Sequence, residues 1–170
     1  READPPVRDA MQNDVNGMAW CLADYLPTLG IDAFVMGQHS HRARACFERP
    51  TAFWWESPSG SALLGYRGEH YMTGNTWGIH SGDLDAFEGA LLHYLRGVAK
   101  QDDALDRISI QYGGYVTDNA PPSLSGPEMI RLWSETYAWP RLRSSTAGEF
   151  LDWVREAHGT SLPVHRAAWP

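Results

Sequence analysis

Short apolar runs of strand length alternate with stretches of helical spacing along the whole chain, and this alternation restricts the fold more than any single residue does. Residues 7–12 read as a short strand. Residues 17–29 follow with Met18, Cys21, Leu22, Tyr25 and Leu26 at helical spacing, and Gly30 closes that helix. Residues 31–36 are apolar and rich in β-formers, and they stop at Gly37, so the first forty residues predict a β-α-β unit. Two further runs, 52–56 and 62–67, flank Ser57-Pro58-Ser59-Gly60, whose Pro and Gly suit a tight reversal, and predict a β-hairpin.

Beyond the hairpin, residues 72–82 with Gly74, Gly78 and Gly82 predict a loop. A helix over 83–99 has Phe87, Leu91, Leu92 and Leu95 on one face. Residues 108–112 predict a strand, and 113–124 are too rich in Gly and Pro for a regular element. Ser125-Gly126-Pro127-Glu128 has the pattern of a capping box opening a helix to about 138. Residues 141–144 are a further strand candidate. Thr146-Ala147-Gly148-Glu149 repeats the cap pattern before a helix to His158, and 161–165 read as extended. Crossovers of this length permit parallel pairing, so the expected class is α/β with a mostly parallel sheet and alternating helices. No repeat, low-complexity tract or linker divides the chain, which predicts one domain or part of one.

Composition narrows the function. A length of 170 residues with 43% hydrophobic content suits a globular core, and a net charge of −7 without a basic cluster argues against a nucleic-acid partner. No run approaches the roughly 18 apolar residues of a membrane helix, and the first residues are too polar for a signal peptide, so no membrane partner is expected. Cys21 and Cys46 can pair or stay free, and the expected location is cytoplasmic. Eight Trp and seven Tyr mostly serve packing, but aromatic rings beside polar residues also suit a carbohydrate partner, whose C–H faces stack on rings.

Ligand sites of parallel sheets lie at the C-terminal ends of the strands. Asp14 falls there, and so do His39 and His41, the Glu69-His70-Tyr71 cluster, and Asp118 with Asn119; together they predict one shared site. Asp14 precedes a predicted helix, so helix capping competes with two chemical roles, nucleophile towards an anomeric carbon and metal ligand. In an extended segment His39 and His41 point to the same side, as a cation site needs, although capping and solvation explain them equally well. His70 and Tyr71 suit proton transfer or hydroxyl binding, and equally an exposed polar turn. Asp118 and Asn119 can grip vicinal hydroxyls or simply make turns. Trp54 and Trp55 point to opposite faces of one strand, so only one of them can line a site.

These segments together resemble the catalytic domain of glycoside hydrolase family 38, the α-mannosidases. Asn13-Asp14-Val15-Asn16-Gly17 resembles the family's strand-end Asp-Pro-Phe-Gly motif. Phe53-Trp54-Trp55 with Ser59-Gly60 and Leu63-Leu64 resembles its aromatic strand, turn and next strand, and Gln111-Tyr112-Gly113-Gly114-Tyr115 resembles a strand ending in a Gly-Asp-Asp-type loop. The resemblance runs over about 10–166. Val15 and Asn16 replace the family's Pro and Phe, Met18 replaces a His, and Gln38 stands near the place of an Arg. It implies a seven-stranded β/α barrel carrying the hairpin as an insertion, and retaining hydrolysis with Asp14 as nucleophile and ligand of Zn2+. It further implies that His39, His41, Trp54, His70, Tyr71, Asp118 and Asn119 surround a carbohydrate substrate. The remaining zinc ligands and the acid/base carboxylate would come from the rest of the parent polypeptide, making this chain the central portion of the barrel and inactive alone. The competing expectation is a non-catalytic carbohydrate-binding domain stacking sugars on Trp54, Trp77 or Trp139.

Overall fold

The computed structural model describes residues 6–15, 17–37, 46–101 and 105–169. In chain order the elements are β1 (Asp9–Asn13), α1 (Leu22–Thr28), β2 (Ala33–Gly37), β3 (Thr51–Glu56), β4 (Ala62–Gly68), α2 (Thr73–Thr76), α3 (Leu84–Val98), α4 (Ser125–Thr136), α5 (Ala147–His158) and β5 (Val164–His165). They fall into two compact units, Arg1–His70 with Ser145–Pro170, and Tyr71–Ser144, each described by itself.

The first unit is a five-stranded sheet in the order β1-β2-β4-β3-β5. Strands β1, β2 and β4 run parallel, β3 lies antiparallel to β4, and β5 runs parallel to β3. The result is a mixed α/β unit with a parallel-dominated sheet. All five residues of β2 are buried, as expected of a continuous apolar run covered on both faces. On one face Phe34, Met36, Phe53, Trp55 and Leu63 pack with Ala23 of α1 and with Trp169. The Trp169 ring lies 5.4 Å from Phe34, 5.1 Å from Phe53 and 5.2 Å from Trp55, close enough for aromatic attraction beyond simple burial. On the other face the ring of Phe150 in α5 meets Tyr66 of β4 at 4.8 Å.

Arg155 ties α5 to the start of β2, donating to the Asp32 carbonyl at 3.0 Å and to its carboxylate at 2.8 Å, while Arg8 reaches the same carboxylate at 2.7 Å. Partial burial works against the charge, but hydrogen bonds and attraction from Arg155 and Arg8 prevail and hold the Asp32 carboxyl below its ordinary 3.8. Both cysteines are free, and burial pushes the Cys46 thiol up to about 11.

In the second unit α3 and α4 enclose Ile79, Phe87, Leu91, Met129 and Trp133, with Trp77, Leu84 and Leu95 packed around them. Asp83 caps α3 through a side-chain bond to the Ala86 amide. Among the described residues no helix is long and apolar enough to cross a membrane.

Several expected elements differ. Helix α1 starts at Leu22 instead of residue 17 because the Met18 backbone exchanges two hydrogen bonds with Trp169, at 2.8 and 3.1 Å, which holds it extended. Residues 72–82 contain the short helix α2. Residues 108–112 form no strand: Gly74 N–H bonds the Gln111 carbonyl, and the buried Asn75 side chain brackets Gly113, accepting from its N–H at 2.9 Å and donating to its carbonyl at 2.8 Å. An amide side chain thus supplies the pairing that a neighbouring strand would give. Residues 141–144 are exposed except Leu142 and form no strand either. The box expected at Ser125 is absent, since Leu124 is the N-cap without a side-chain bond and Ser125 already lies in the helix. The Thr146–Glu149 box is present with both reciprocal bonds.

Two glycines predict opposite responses to alanine. A Cβ on Gly65 would sit 2.6 Å from the Phe53 ring across the β3–β4 pair, whereas one on Gly89 in α3 would meet nothing within 4 Å. Gly65→Ala is expected to lower stability by about 1–3 kcal/mol through overpacking. Gly89→Ala should raise it by about 0.5–1 kcal/mol through helix propensity. Denaturant unfolding of the two variants checks both signs.

Acid should act through Asp32. Its folded pKa is depressed, so its contribution is fully present above the unfolded value near 3.8 and is lost as pH falls through the lower folded value. Asp32→Asn should flatten the pH dependence of stability below about pH 4 in urea titrations.

Candidate active site

The parallel strands β1, β2 and β4 end in one row, Asn13 beside Gly37 and Gly37 beside Gly68. Two of its three positions carry no side chain, so the C-terminal edge of the sheet is low just where polar residues follow. The Asn13 side chain accepts from the Gly37 N–H at 3.0 Å, and the Asp14 N–H donates to the Gly37 carbonyl at 3.1 Å. The last residue of β2 is thereby held at both its N–H and its carbonyl by the end of β1.

Asp14 has φ 54, a left-handed conformation that Asp tolerates better than most residues, and it turns the chain out of β1 at this point. The capping role is excluded. Helix α1 begins eight residues later with Cys21 at its N-cap and no side-chain capping bond. Across β2, about 10 Å away at two interstrand spacings, His70 follows the end of β4. The two side chains close that gap, with His70 Nε2 4.0 Å from Asp14 Oδ1, and their exposures of 40% and 42% leave the carboxylate within reach of a solute. An exposed pair at this separation contributes little stability, so its interest is chemical. Glu69 turns back towards Arg67 at 3.9 Å.

The expected site residues divide. Asp14 and His70 are brought together in the first unit. His39 and His41 lie outside the described residues. Trp54 sits mid-strand opposite Leu64, four residues before the row's Gly68, and its indole N–H donates to the Gly159 carbonyl at 2.8 Å, so the structure does not bring it to Asp14. Its neighbour Trp55 is fully buried, as opposite strand faces require. In the second unit Tyr71 donates its hydroxyl to Asp118 at 2.7 Å, and the bond to this carboxylate raises the phenol pKa. The other Asp118 oxygen accepts from the Asn119 backbone N–H at 2.8 Å. Asn13, Gly37 and Gly68 build this edge, and their mark in the sequence is a Gly at the end of an apolar run just before a polar cluster, present for both β2 and β4.

Among the described residues no three His, Cys, Asp or Glu side chains gather so as to hold a metal ion. Zinc takes three or four protein ligands, so the described residues do not by themselves make up a zinc site; Asp14 fits only as one oxygen donor.

A model of the glycosyl hydrolases family 38 N-terminal domain matches residues 3–168. The chain belongs to glycosyl hydrolase family 38. That match runs through both units, and the family resemblance read from Asn13 to Gly17 and from residues 53–64 is thereby established. Among solved structures the family 38 chain is similar to an α-mannosidase from Enterococcus faecalis V583, with a TM-score of 0.71 at 17% identity, covering 97% of this chain. At that identity the likeness speaks for the fold. The chain spans 18% of that protein's length. No curated protein matches it.

Removing the Asn13 acceptor should expose how the edge is held. Asn13→Ala leaves the buried Gly37 N–H without this partner and is expected to cost about 1–3 kcal/mol, while Asn13→Asp, which keeps an acceptor oxygen, should cost less. Thermal unfolding of both variants provides the comparison.

Proposed function

We propose that the protein is a glycoside hydrolase of α-mannosidase type, with Asp14 as the nucleophile of a retaining reaction. The observation that supports this best is the Asp14 carboxylate itself, standing half-exposed past the end of β1 in a left-handed conformation and facing His70, in a chain of family 38. In such a reaction the carboxylate attacks the anomeric carbon while the leaving oxygen takes a proton from an acid, and water then cleaves the glycosyl ester. His70 lies near enough to orient the carboxylate or to donate to a sugar hydroxyl. In the second unit the Tyr71 and Asp118 pair, with Asn119, offers hydroxyl-binding groups of the kind a pyranose needs.

The reading extends to what surrounds these residues. The sheet belongs to a seven-stranded β/α barrel to which β1, β2 and β4 contribute parallel strands and the antiparallel β3 is the inserted arm of the β3–β4 hairpin, and the chain is the central portion of one catalytic domain whose other parts supply the acid/base group. The TM-score of 0.71 to a longer α-mannosidase supports this arrangement. His39 and His41 belong to the substrate site on the same reading. Asp14 is one ligand of a Zn2+ whose other ligands lie outside this chain; when bound, the ion would share the carboxylate's charge and orient sugar hydroxyls.

Asp14→Asn in the full-length protein is expected to lower turnover of an aryl α-mannoside by about a thousandfold or more, with the thermal unfolding midpoint within a few degrees of wild type. Retained turnover removes Asp14 from the role. Metal analysis of the same protein should find one equivalent of zinc, reduced in the variant.

A non-catalytic carbohydrate-binding domain is the second reading, and Trp139 favours it, being 72% exposed. Trp77, by contrast, packs its ring 5.0 Å from Tyr94. Release of reducing sugar by the full-length protein separates the two readings.

A further inference from the structure

The loop that carries Asp118 holds two non-glycine residues at positive φ within four positions, Val116 at 64° and Asn119 at 56°. Asn tolerates this region, but a β-branched residue there is a genuine outlier. The Thr117 N–H donates to the Tyr115 carbonyl at 2.7 Å, so Val116 is the centre of a three-residue γ-turn in its positive-φ, strained form. Such strain survives where the surroundings impose it, and it gathers at ligand clamps. Here the surroundings are specific. Tyr115 N–H bonds the Pro121 carbonyl at 3.2 Å, closing the loop. A Cβ on Gly114 would lie 2.6 Å from that same carbonyl oxygen, so the two strands of the loop touch backbone to backbone. Tyr115 is 54% exposed, and its ring centre lies 6.2 Å from that of His80 with the two planes at 72°. Three residues on, Asp118 is fixed by Tyr71.

We propose that Tyr115 is a sugar-stacking residue: the C–H face of a pyranose packs on its ring while Asp118 and Asn119 take the hydroxyls, and the strained turn at Val116 sets the ring at the required offset from Asp118. The inference rests on the carbohydrate reading given above and adds to it a stacking residue and the turn that aims it. A rigid aromatic face beside a carboxylate and an amide is the pairing that binds sugars, apolar contact on one side and directional hydrogen bonds on the other.

Titration of the 15N-labelled chain with methyl α-mannoside tests this. The amides of Tyr115, Val116, Thr117 and Asp118 should shift together with one affinity. Tyr115→Ala should weaken that affinity by about tenfold, and Tyr115→Phe, which keeps the ring, should hold it within about twofold. Val116→Gly should weaken binding while its thermal midpoint stays level or rises, a combination that simple damage to the loop does not give. Loop amides that do not move at saturating sugar, or a Tyr115→Ala chain that binds as wild type does, overturn the proposal; a Val116→Gly chain with unchanged affinity removes the turn from it. In the full-length enzyme Tyr115→Ala should raise KM and leave kcat nearly unchanged. Failure of the Asp14→Asn experiment strikes the nucleophile assignment and leaves this titration to be decided by itself.

Discussion

The burial of β2 on both faces governs the first unit. A strand covered on each side must have every backbone group paired, and parallel neighbours on either flank, β1 and β4, supply that along its whole length. Parallel pairing in turn fixes which ends of the strands coincide. Because β1, β2 and β4 stop in register at Asn13, Gly37 and Gly68, the residues that follow β1 and β4 emerge at the same edge, and Asp14 meets His70 there. The meeting is thus a consequence of sheet register, reinforced by the Asn13 and Asp14 bonds to Gly37.

Elements whose fate depends on local chemistry were readable from the residues. The Thr146 capping box, the apolar face of α3, the apolar runs of β2, β3 and β4 and the glycine stop at Gly30 all follow from short-range preferences that the rest of the molecule does not oppose. Where reading failed, a distant partner had intervened. Met18 has helical spacing with its neighbours, but Trp169, about 150 positions later, holds its backbone extended. Ile108 to Tyr112 have strand composition, but the Gln111 carbonyl is taken by the Gly74 N–H and the adjoining Gly113 by the Asn75 side chain instead of by a neighbouring strand. At Ser125 the cap pattern was present and the helix began one residue earlier without it.

The site was legible in a similar measure. The rule that ligands gather at the C-terminal ends of parallel strands was enough to single out Asp14 and His70, because it uses only strand order and direction. Trp54 shows its limit: an aromatic residue in a strand can face a helix, and here its indole is engaged by the end of α5. The strain at Val116 could not be read from the sequence, since valine carries no preference for positive φ and only the closed loop imposes it.

Asn75 carries a chemical liability. Its amide nitrogen faces the Gly113 carbonyl and its amide oxygen faces the Gly113 N–H, so the side chain works only while its two ends differ. Deamidation would replace the nitrogen by a second oxygen and set a negative charge against a carbonyl in a buried position. A deamidated Asn75 would keep its hold on the Gly113 N–H and lose the Gly113 carbonyl, so one side-chain nitrogen decides whether the loop that begins there stays tied at both ends of this residue.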